Sequence, residues 1–333
     1  MCGIFGTINY RISEEKALDC LNRMIHRGPD GYGIWQEDGV TLGHRRLSIL
    51  DLSENGRQPM SYADGRYEIT FNGEVYNFIE IRRELMSKGY TFKSDTDTEV
   101  IIAAFIEWGE KCLDMFNGMW TFAIWDRLEK KMFISRDRFG IKPLYIANQG
   151  GRIAFASEMK AIMPLLDKTD INRSLIERYL KNPHYEMQDE CLVEEIKRFP
   201  AGFCAWIDAS GNIEMKRWWN TLDHIVDVPA AYEEQVEKFR ELFLDSCRIR
   251  MRSDVTLGTA LSGGLDSSAT ICAMAHIMNG ADNDRVNNDW QHAFVATFAG
   301  TPFDETRYAR QVTDHLGINS TFLNIDESVS YDE

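Results

Sequence analysis

The sequence predicts two structural parts of different class. Residues 2–215 read as an α+β domain, and residues 231–333 as an α/β domain with a doubly wound parallel sheet, joined by a linker over 216–230. Three observations carry this reading. The 333 residues exceed what one domain of about 150 residues requires. Up to residue 215 the apolar runs are short and are broken by turn residues, the pattern of many short strands. After the stretch Trp219-Asn-Thr-Leu-Asp-His-Ile-Val-Asp-Val-Pro-Ala-Ala231, strand-length runs alternate with helical ones, which implies a parallel sheet.

Taken in order, Ser13 can cap a helix whose apolar residues Ala17, Leu18, Leu21, Met24 and Ile25 recur at helical spacing. Gly28-Pro29-Asp30-Gly31 breaks it. Tyr67–Phe71 is a strand running into Asn72-Gly73, a strong turn dipeptide. Helices follow over 77–88 and 97–108, each closed by a glycine, Gly89 and Gly109. Met119–Trp125, Lys131–Ser135, Leu144–Ala147 and Arg152–Ala156 are short strands, the last two joined as a hairpin through Asn148-Gln149-Gly150-Gly151. In the second part an amphipathic helix spans 231–252, with Tyr232, Val236, Phe239, Leu242 and Phe243 on one side. A strand (255–261), a Ser/Gly loop, a helix (267–279), a strand (293–298), a helix (304–316) and a strand (320–325) complete it. Three strands bury their faces poorly, so this domain is expected to be incomplete.

Composition narrows the function. A hydrophobic fraction of 44% and a charged fraction of 27% fit a globular protein. The formal charge of −15 disfavours a broad electrostatic grip on nucleic acid or anionic lipid, while leaving room for a local phosphate site. No apolar run approaches the 18 or so residues of a membrane span, and Met1–Gly6 is not a secretory signal. The seven cysteines form no C-x-x-C pair, which points to reduced thiols in a cytoplasmic protein.

One cysteine stands at position 2. Removal of Met1 would leave its thiol beside its own α-amine, a base of pKa near 8 and the device of N-terminal nucleophile hydrolases. Alone, the position has a plainer reading, a cysteine that happens to follow the initiator.

Its company changes the balance. Met1-Cys2-Gly3-Ile4-Phe5-Gly6, His26-Arg27-Gly28-Pro29-Asp30, His44-Arg45-Arg46-Leu47-Ser48-Ile49, Phe71-Asn72-Gly73-Glu74-Val75-Tyr76-Asn77 and Ser94-Asp95-Thr96-Asp97-Thr98-Glu99 occur in this order. Arg136-Asp137-Arg138-Phe139-Gly140-Ile141-Lys142-Pro143-Leu144-Tyr145 and Ser157-Glu158-Met159-Lys160 follow. Over about residues 1–205 this set resembles the class II glutamine amidotransferase domain of the asparagine-synthetase type. The resemblance implies a four-layer αββα fold and a thiol that attacks the side-chain amide of glutamine. Arg46 can take the glutamine carboxylate bidentately, and Asp97 and Glu74 its ammonium. Asn72 with the Gly73 N–H can form an oxyanion hole at the turn. The segment Arg46, Leu47, Ser48, Ile49 and Leu50 carries over as glutamine-binding. His26 and His44 receive no catalytic role, because the α-amine serves as base.

Leu261-Ser262-Gly263-Gly264-Leu265-Asp266-Ser267-Ser268 lies between a strand and a helix and lacks the spacing and lysine of a P-loop. Adjacent glycines, serine hydroxyls and a helix start still suit an anion. A Gly/Ser turn with a serine cap is the ordinary alternative. The full string resembles the pyrophosphate loop of N-type ATP pyrophosphatases. That resemblance assigns Ser262, Gly263, Gly264, Asp266, Ser267 and Ser268 to ATP, with Asp266 as a ligand of Mg²⁺, and places adenine near Ala260 and Thr297. Asp304 and Glu305 read as ordinary acids of a helix start.

The combination resembles glutamine-hydrolysing asparagine synthetases of the B type. It implies glutamine, ATP and aspartate as substrates, ammonia moving through an internal passage, and a homodimer. The later Gly-Asp-rich motif and the aspartate-binding part of that family do not appear, so the chain is expected to be a piece of a longer enzyme. Alternatives are an amidotransferase with a sugar or phosphoribosyl acceptor, a relative that amidates another carboxylate (a sugar acid or a peptide), a glutaminase alone, and a non-catalytic binding module.

Overall fold

The computed structural model describes residues 1–182, 189–280, 284–287 and 289–325. The chain divides into two compact units, one over Met1–Ile225 and one beginning at Val226.

The first unit is built on β1 (Gly3–Ile8), β2 (Gly31–Glu37), β3 (Val40–Arg46), β4 (Met60–Tyr62), β5 (Tyr67–Val75) and β6 (Gly118–Asp126). These are followed by β7 (Lys131–Arg136), β8 (Tyr145–Gln149), β9 (Arg152–Ala156), β10 (Ile196–Arg198), β11 (Phe203–Asp208) and β12 (Ile213–Arg217). They form two six-stranded sheets, ordered β10-β8-β9-β1-β3-β2 and β12-β11-β7-β6-β5-β4. All the pairings are antiparallel. The alternation of side chains along each strand gives each sheet two apolar faces. Ile4, Ile8, Val40 and Leu42 of one sheet meet Ala123, Trp125, Met132 and Ile134 of the other in a shared core.

The outer faces are covered by helices. On one side, α1 (Glu14–Asn22) and the short α5 (Met159–Ile162) pack on Phe5, Ala154 and Ala156. On the other, α2 (Phe78–Ser87), α3 (Asp97–Trp108) and α4 (Cys112–Met115) pack on Ile69, Phe71, Trp120 and Phe122. The result is the αββα layering that the family resemblance implied. In α3, Val100, Ile101, Ile102, Ala103 and Ala104 are all fully buried, as expected of a helix that is apolar all round. A further helix is α6 (Arg173–Lys181), whose Leu175 is buried.

Several expectations are met locally. Ser13 accepts a hydrogen bond from the Lys16 N–H and caps α1. Strands β8 and β9 are joined by Gly150 and Gly151, both in the left-handed region at φ +62° and +90°, as a two-residue hairpin requires. One expectation is corrected. Asn72-Gly73 is not a turn: β5 continues to Val75, with Asn72 opposite Thr121 and Gly73 opposite Trp120. The glycine serves close packing, since a Cβ on Gly73 would stand 2.2 Å from the Met119 carbonyl oxygen.

In the second unit, α7 (Tyr232–Arg250) precedes β13 (Gly258–Ala260), α8 (Leu265–Met278), β14 (His292–Thr297), α9 (Thr306–Leu316) and β15 (Asn319–Asn324). The three strands are parallel, in the order β13-β14-β15, around Leu261, Ile271, Ala293, Val295 and Ala309. Tyr232, Val236, Phe239 and Leu242 of α7 are exposed.

Candidate active site

Cys2 sits at the entrance of β1, half-buried. Its Sγ accepts a hydrogen bond from the Leu47 N–H at 3.3 Å and lies 3.5 Å from the Leu47 carbonyl oxygen, just past the end of β3. The Cys2 carbonyl accepts from Arg27 Nε at 3.0 Å. The thiol therefore has a fixed place at the junction of two neighbouring strands.

A cleft of about 160 Å³ opens beside it. That is smaller than the roughly 300 Å³ at which drug-sized ligand sites begin, and it suits a molecule of amino-acid size. Of the predicted residues, Cys2, Arg46, Leu47, Ile49, Leu50, Asn72, Gly73, Glu74 and Asp97 line the cleft. Ser48 does not; its N–H donates to Asp30 Oδ2 at 2.8 Å.

Strand β5 supplies the wall opposite the thiol. In an antiparallel pair, the backbone groups of alternate residues point toward and away from a given neighbour. Trp120, opposite Gly73, spends its N–H on Asp137 Oδ2 and its carbonyl on the Asp137 N–H, both on the side of β6 away from β5. The odd residues of β5 accordingly face away from β6. The Phe71 N–H donates to Gln58 Oε1 at 2.7 Å, and the Val75 N–H to Asp97 Oδ2 at 2.9 Å. The Gly73 N–H lies between them in the same orientation and is directed at the cleft. Beside it the Nδ2 of Asn72, a residue only 1% exposed, is buried and has no hydrogen-bond partner. A buried amide without a partner costs about 1–3 kcal/mol, so this donor is held ready for something the free protein does not contain.

The charged residues are held from behind. Arg46 donates through Nη1 to the Ser53 carbonyl at 2.8 Å and through Nη2 to the Asp51 carbonyl. Gly56 makes room for this guanidinium, because a Cβ there would stand 2.1 Å from Nη2. Asp97 opens α3 behind its cap residue Thr96 and is 5% exposed. Burial raises its carboxyl to about 7, a rise opposed by the Val75 N–H and reinforced by the charge of Glu74. Burial raises Glu74 as well, with Lys142 opposing it. The Cys2 thiol is pushed up by burial and drawn back by the Leu47 amide, the N-terminal ammonium and Lys142. Burial also lowers the N-terminal amine, which stands near Arg27 and Lys142.

The lining also includes residues to which the sequence reading gave no role, Lys142, Gln58 and Thr98 among them. Gln58 bridges β5 and α3, accepting from the Phe71 N–H and donating to Thr98 Oγ1 at 3.1 Å. No motif pointed to Gln58, whereas Lys142 lay within one. The histidines behave as structural groups. His26 is exposed and sits 2.9 Å from Glu158. His44 is buried, its Nε2 is 3.1 Å from the Phe71 carbonyl oxygen, and burial lowers it to about 3, so its ring is neutral and donates there.

In the second unit the Ser/Gly loop connects β13 to α8. Gly263 has φ +86°, and a Cβ there would stand 2.5 Å from the Ala309 nitrogen, so only glycine fits. Ser262 Oγ accepts from the Gly264 N–H at 3.1 Å and lies 3.1 Å from Ser267 Oγ. Ser268 Oγ is buried without a partner. Ala260 ends β13 and Thr297 ends β14, so both lie at the carboxyl edge of the parallel sheet, where such sheets bind ligands. Thr297 Oγ1 donates to the Leu323 carbonyl at 3.3 Å. Asp304 caps the turn before α9 by accepting from the Thr306 N–H. Among the described residues, no group of three or more His, Cys, Asp or Glu side chains is placed to hold a metal ion, and no helix is long and apolar enough to cross a membrane.

Comparison with known proteins agrees with this division. The glutamine amidotransferase domain family matches residues 1–219, and the asparagine synthase family matches residues 238–332. Similar proteins include asparagine synthetase [glutamine-hydrolyzing] 1 of Bacillus subtilis, 34% identical over all of this chain and 51% of that protein. Asparagine synthetase [glutamine-hydrolyzing] 3 of the same organism is 34% identical over 83% of this chain and 46% of its own length. Asparagine synthetase B of Escherichia coli is 33% identical over 95% of this chain and 53% of its own length. The chain thus spans about half the length of the curated relatives it matches. Among solved structures, a glutamine phosphoribosylpyrophosphate amidotransferase of B. subtilis aligns with a TM-score of 0.53 over 100% of this chain and 94% of its own, at 14% identity, a likeness of fold.

Proposed function

Since the chain belongs to the glutamine amidotransferase domain family, with an asparagine synthase match behind that domain, we propose that its first unit hydrolyses glutamine at Cys2. The observation that carries this is the buried, partnerless Nδ2 of Asn72 in a cleft that also holds the thiol. Once Met1 is removed, the Cys2 α-amine takes the thiol proton and Sγ bonds to the side-chain amide carbon. The oxygen of that carbon gains negative charge and is held by Asn72 Nδ2–H and the Gly73 N–H. Collapse expels ammonia, which leaves with the proton from the amine, and a γ-glutamyl thioester remains. Water adds with the amine again as base, the thiol leaves, and glutamate is released. Arg46 binds the α-carboxylate, with Asp97 and Glu74 on the α-ammonium and Leu47, Ile49 and Leu50 around the carbon chain.

For the whole enzyme we propose the synthesis of asparagine. The aspartate β-carboxylate displaces pyrophosphate from ATP, and ammonia then displaces AMP from the acyl-adenylate. The Ser262–Ser268 loop supports the ATP half, with a glycine that no other residue can replace at 263 and an unpaired Ser268 hydroxyl at the start of α8. Asp266 is exposed and belongs to no group of three or more ligating side chains among the described residues, which fits Mg²⁺ carried on nucleotide phosphates and not a protein-built cage. Such an ion would neutralise phosphate charge. Seven unpaired cysteines suit a reducing, cytoplasmic compartment. A homodimer is the expected assembly, to be checked by light scattering.

The test is glutamate release from glutamine. The wild-type chain should show it and Cys2→Ala should not; full activity in Cys2→Ala would remove the assignment.

A further inference from the structure

Lys142 is 3% exposed, a rare place for an ammonium. Its backbone is clamped, the N–H donating to Asp137 Oδ2 at 2.9 Å and the carbonyl accepting from Arg136 Nε at 2.8 Å. Its side chain reaches the cleft that Cys2, Asn72 and Glu74 line. There Nζ donates to the thioether of Met1, at 2.8 Å, and it forms no ion pair among the described residues. A thioether is a weak acceptor for a buried cation. Met1 is also the residue whose removal frees the Cys2 amine. When it goes, the Lys142 ammonium loses the one hydrogen-bond partner it has among the described residues and keeps Glu74 and the Cys2 thiol beside it in the cleft.

We propose that Lys142 is a positioning cation for the nucleophile: its ammonium favours the thiolate of Cys2 and the unprotonated α-amine over their protonated forms. The inference rests on Cys2 being the nucleophile. The other groups around the thiol are the Met1 amine ahead of β1, Arg46 from β3, Glu74 from β5 and Asp97 from α3; Arg27 and Asp30 lie near that amine. The two carboxylates oppose thiolate formation. Burial raises the thiol most and Asp97 adds to the rise, while Lys142 is one of the groups that draw it back. In the chain that carries Met1, Lys142 helps to lower the Met1 amine, and the same charge disfavours protonation of the Cys2 amine once Met1 is gone. Both effects need only its charge, so arginine should substitute where methionine cannot.

The experiment is alkylation of Cys2 by iodoacetamide as a function of pH, read on the N-terminal peptide by mass spectrometry and performed on full-length protein that has lost Met1. Lys142→Met should move the midpoint of Cys2 labelling upward by about one pH unit, a tenfold slower reaction below the midpoint. Lys142→Arg should restore most of the shift. Lys142→Gln is the second neutral variant should Lys142→Met fail to fold, which circular dichroism checks. A neutral, folded variant with the wild-type labelling profile would overturn the proposal. Wild-type Cys2 that does not label at any pH would remove the nucleophile assignment, and the proposal with it.

Discussion

Asn72 and Asp97 show how the cleft is prepared before any ligand arrives. The Asn72 amide is already desolvated and unpaired, so the cost of preparing it is met on folding. Asn72→Ala should therefore lower kcat for glutamine by about 100- to 1000-fold and leave thermal stability close to wild type, measured by glutaminase assay and melting curves. Asp97 titrates near 7 in the free protein because it is buried beside Glu74. Its folded value lies above the unfolded one, so the native state holds more protons between about 4 and 7. Its contribution to stability is thus fullest at low pH and declines as pH rises through that window. Glutamine binding runs the other way, because the ammonium needs the ionised carboxylate. KM for glutamine should rise as pH falls below about 7, and Asp97→Asn should flatten that dependence, raising KM above about pH 7 and converging on the wild type at low pH. These two residues were legible from their motifs. Gln58 was not, because its role is to join Phe71 and Thr98, which are far apart in sequence.

At the scale of elements, β5 carries the argument. Its Asn-Gly pair has the composition of a hairpin turn, yet the structure keeps it extended because β6 offers partners as far as Gly118. Tertiary pairing here overrides the local turn preference. The consequence is functional: an extended Gly73 keeps its N–H in the row that includes Phe71 and Val75 and aims it at the cleft. Gly73→Ala would press a Cβ to 2.2 Å from the Met119 oxygen and 2.7 Å from Trp120 Cα. Overpacking of that kind costs about 1–3 kcal/mol or more. This variant should lose both stability and glutaminase activity, in contrast to Asn72→Ala. Strands β1 to β4 and β10 to β12 were missed by the sequence reading, whereas β8, β9, α2 and α3 were legible through alternation, helical spacing and closing glycines.

At the scale of the whole molecule, the two proposed chemistries fall in two compact units. Gly263→Ala, which forces a Cβ to 2.5 Å from the Ala309 nitrogen, should abolish binding of a fluorescent ATP analogue. It should leave glutaminase activity within about twofold of wild type, because Gly263 packs on Tyr308 and Ala309 of its own unit, while the Cys2 cleft is lined by residues of the first unit. The βαβ alternation and the Ser-Gly-Gly-Leu-Asp-Ser-Ser string made the second unit legible as a nucleotide fold. The layering of the first unit was legible only through resemblance, since two sheets sharing one core cannot be told from the strand pattern alone. The proposed chemistry requires that Cys2, freed of Met1, form a covalent bond with glutamine. Acid quenching during turnover, followed by mass spectrometry of the N-terminal peptide, shows whether it does. The expected peptide begins at Cys2 and carries a γ-glutamyl group; glutamate release with that peptide unmodified throughout, or with Met1 retained at full activity, would rule the covalent route out.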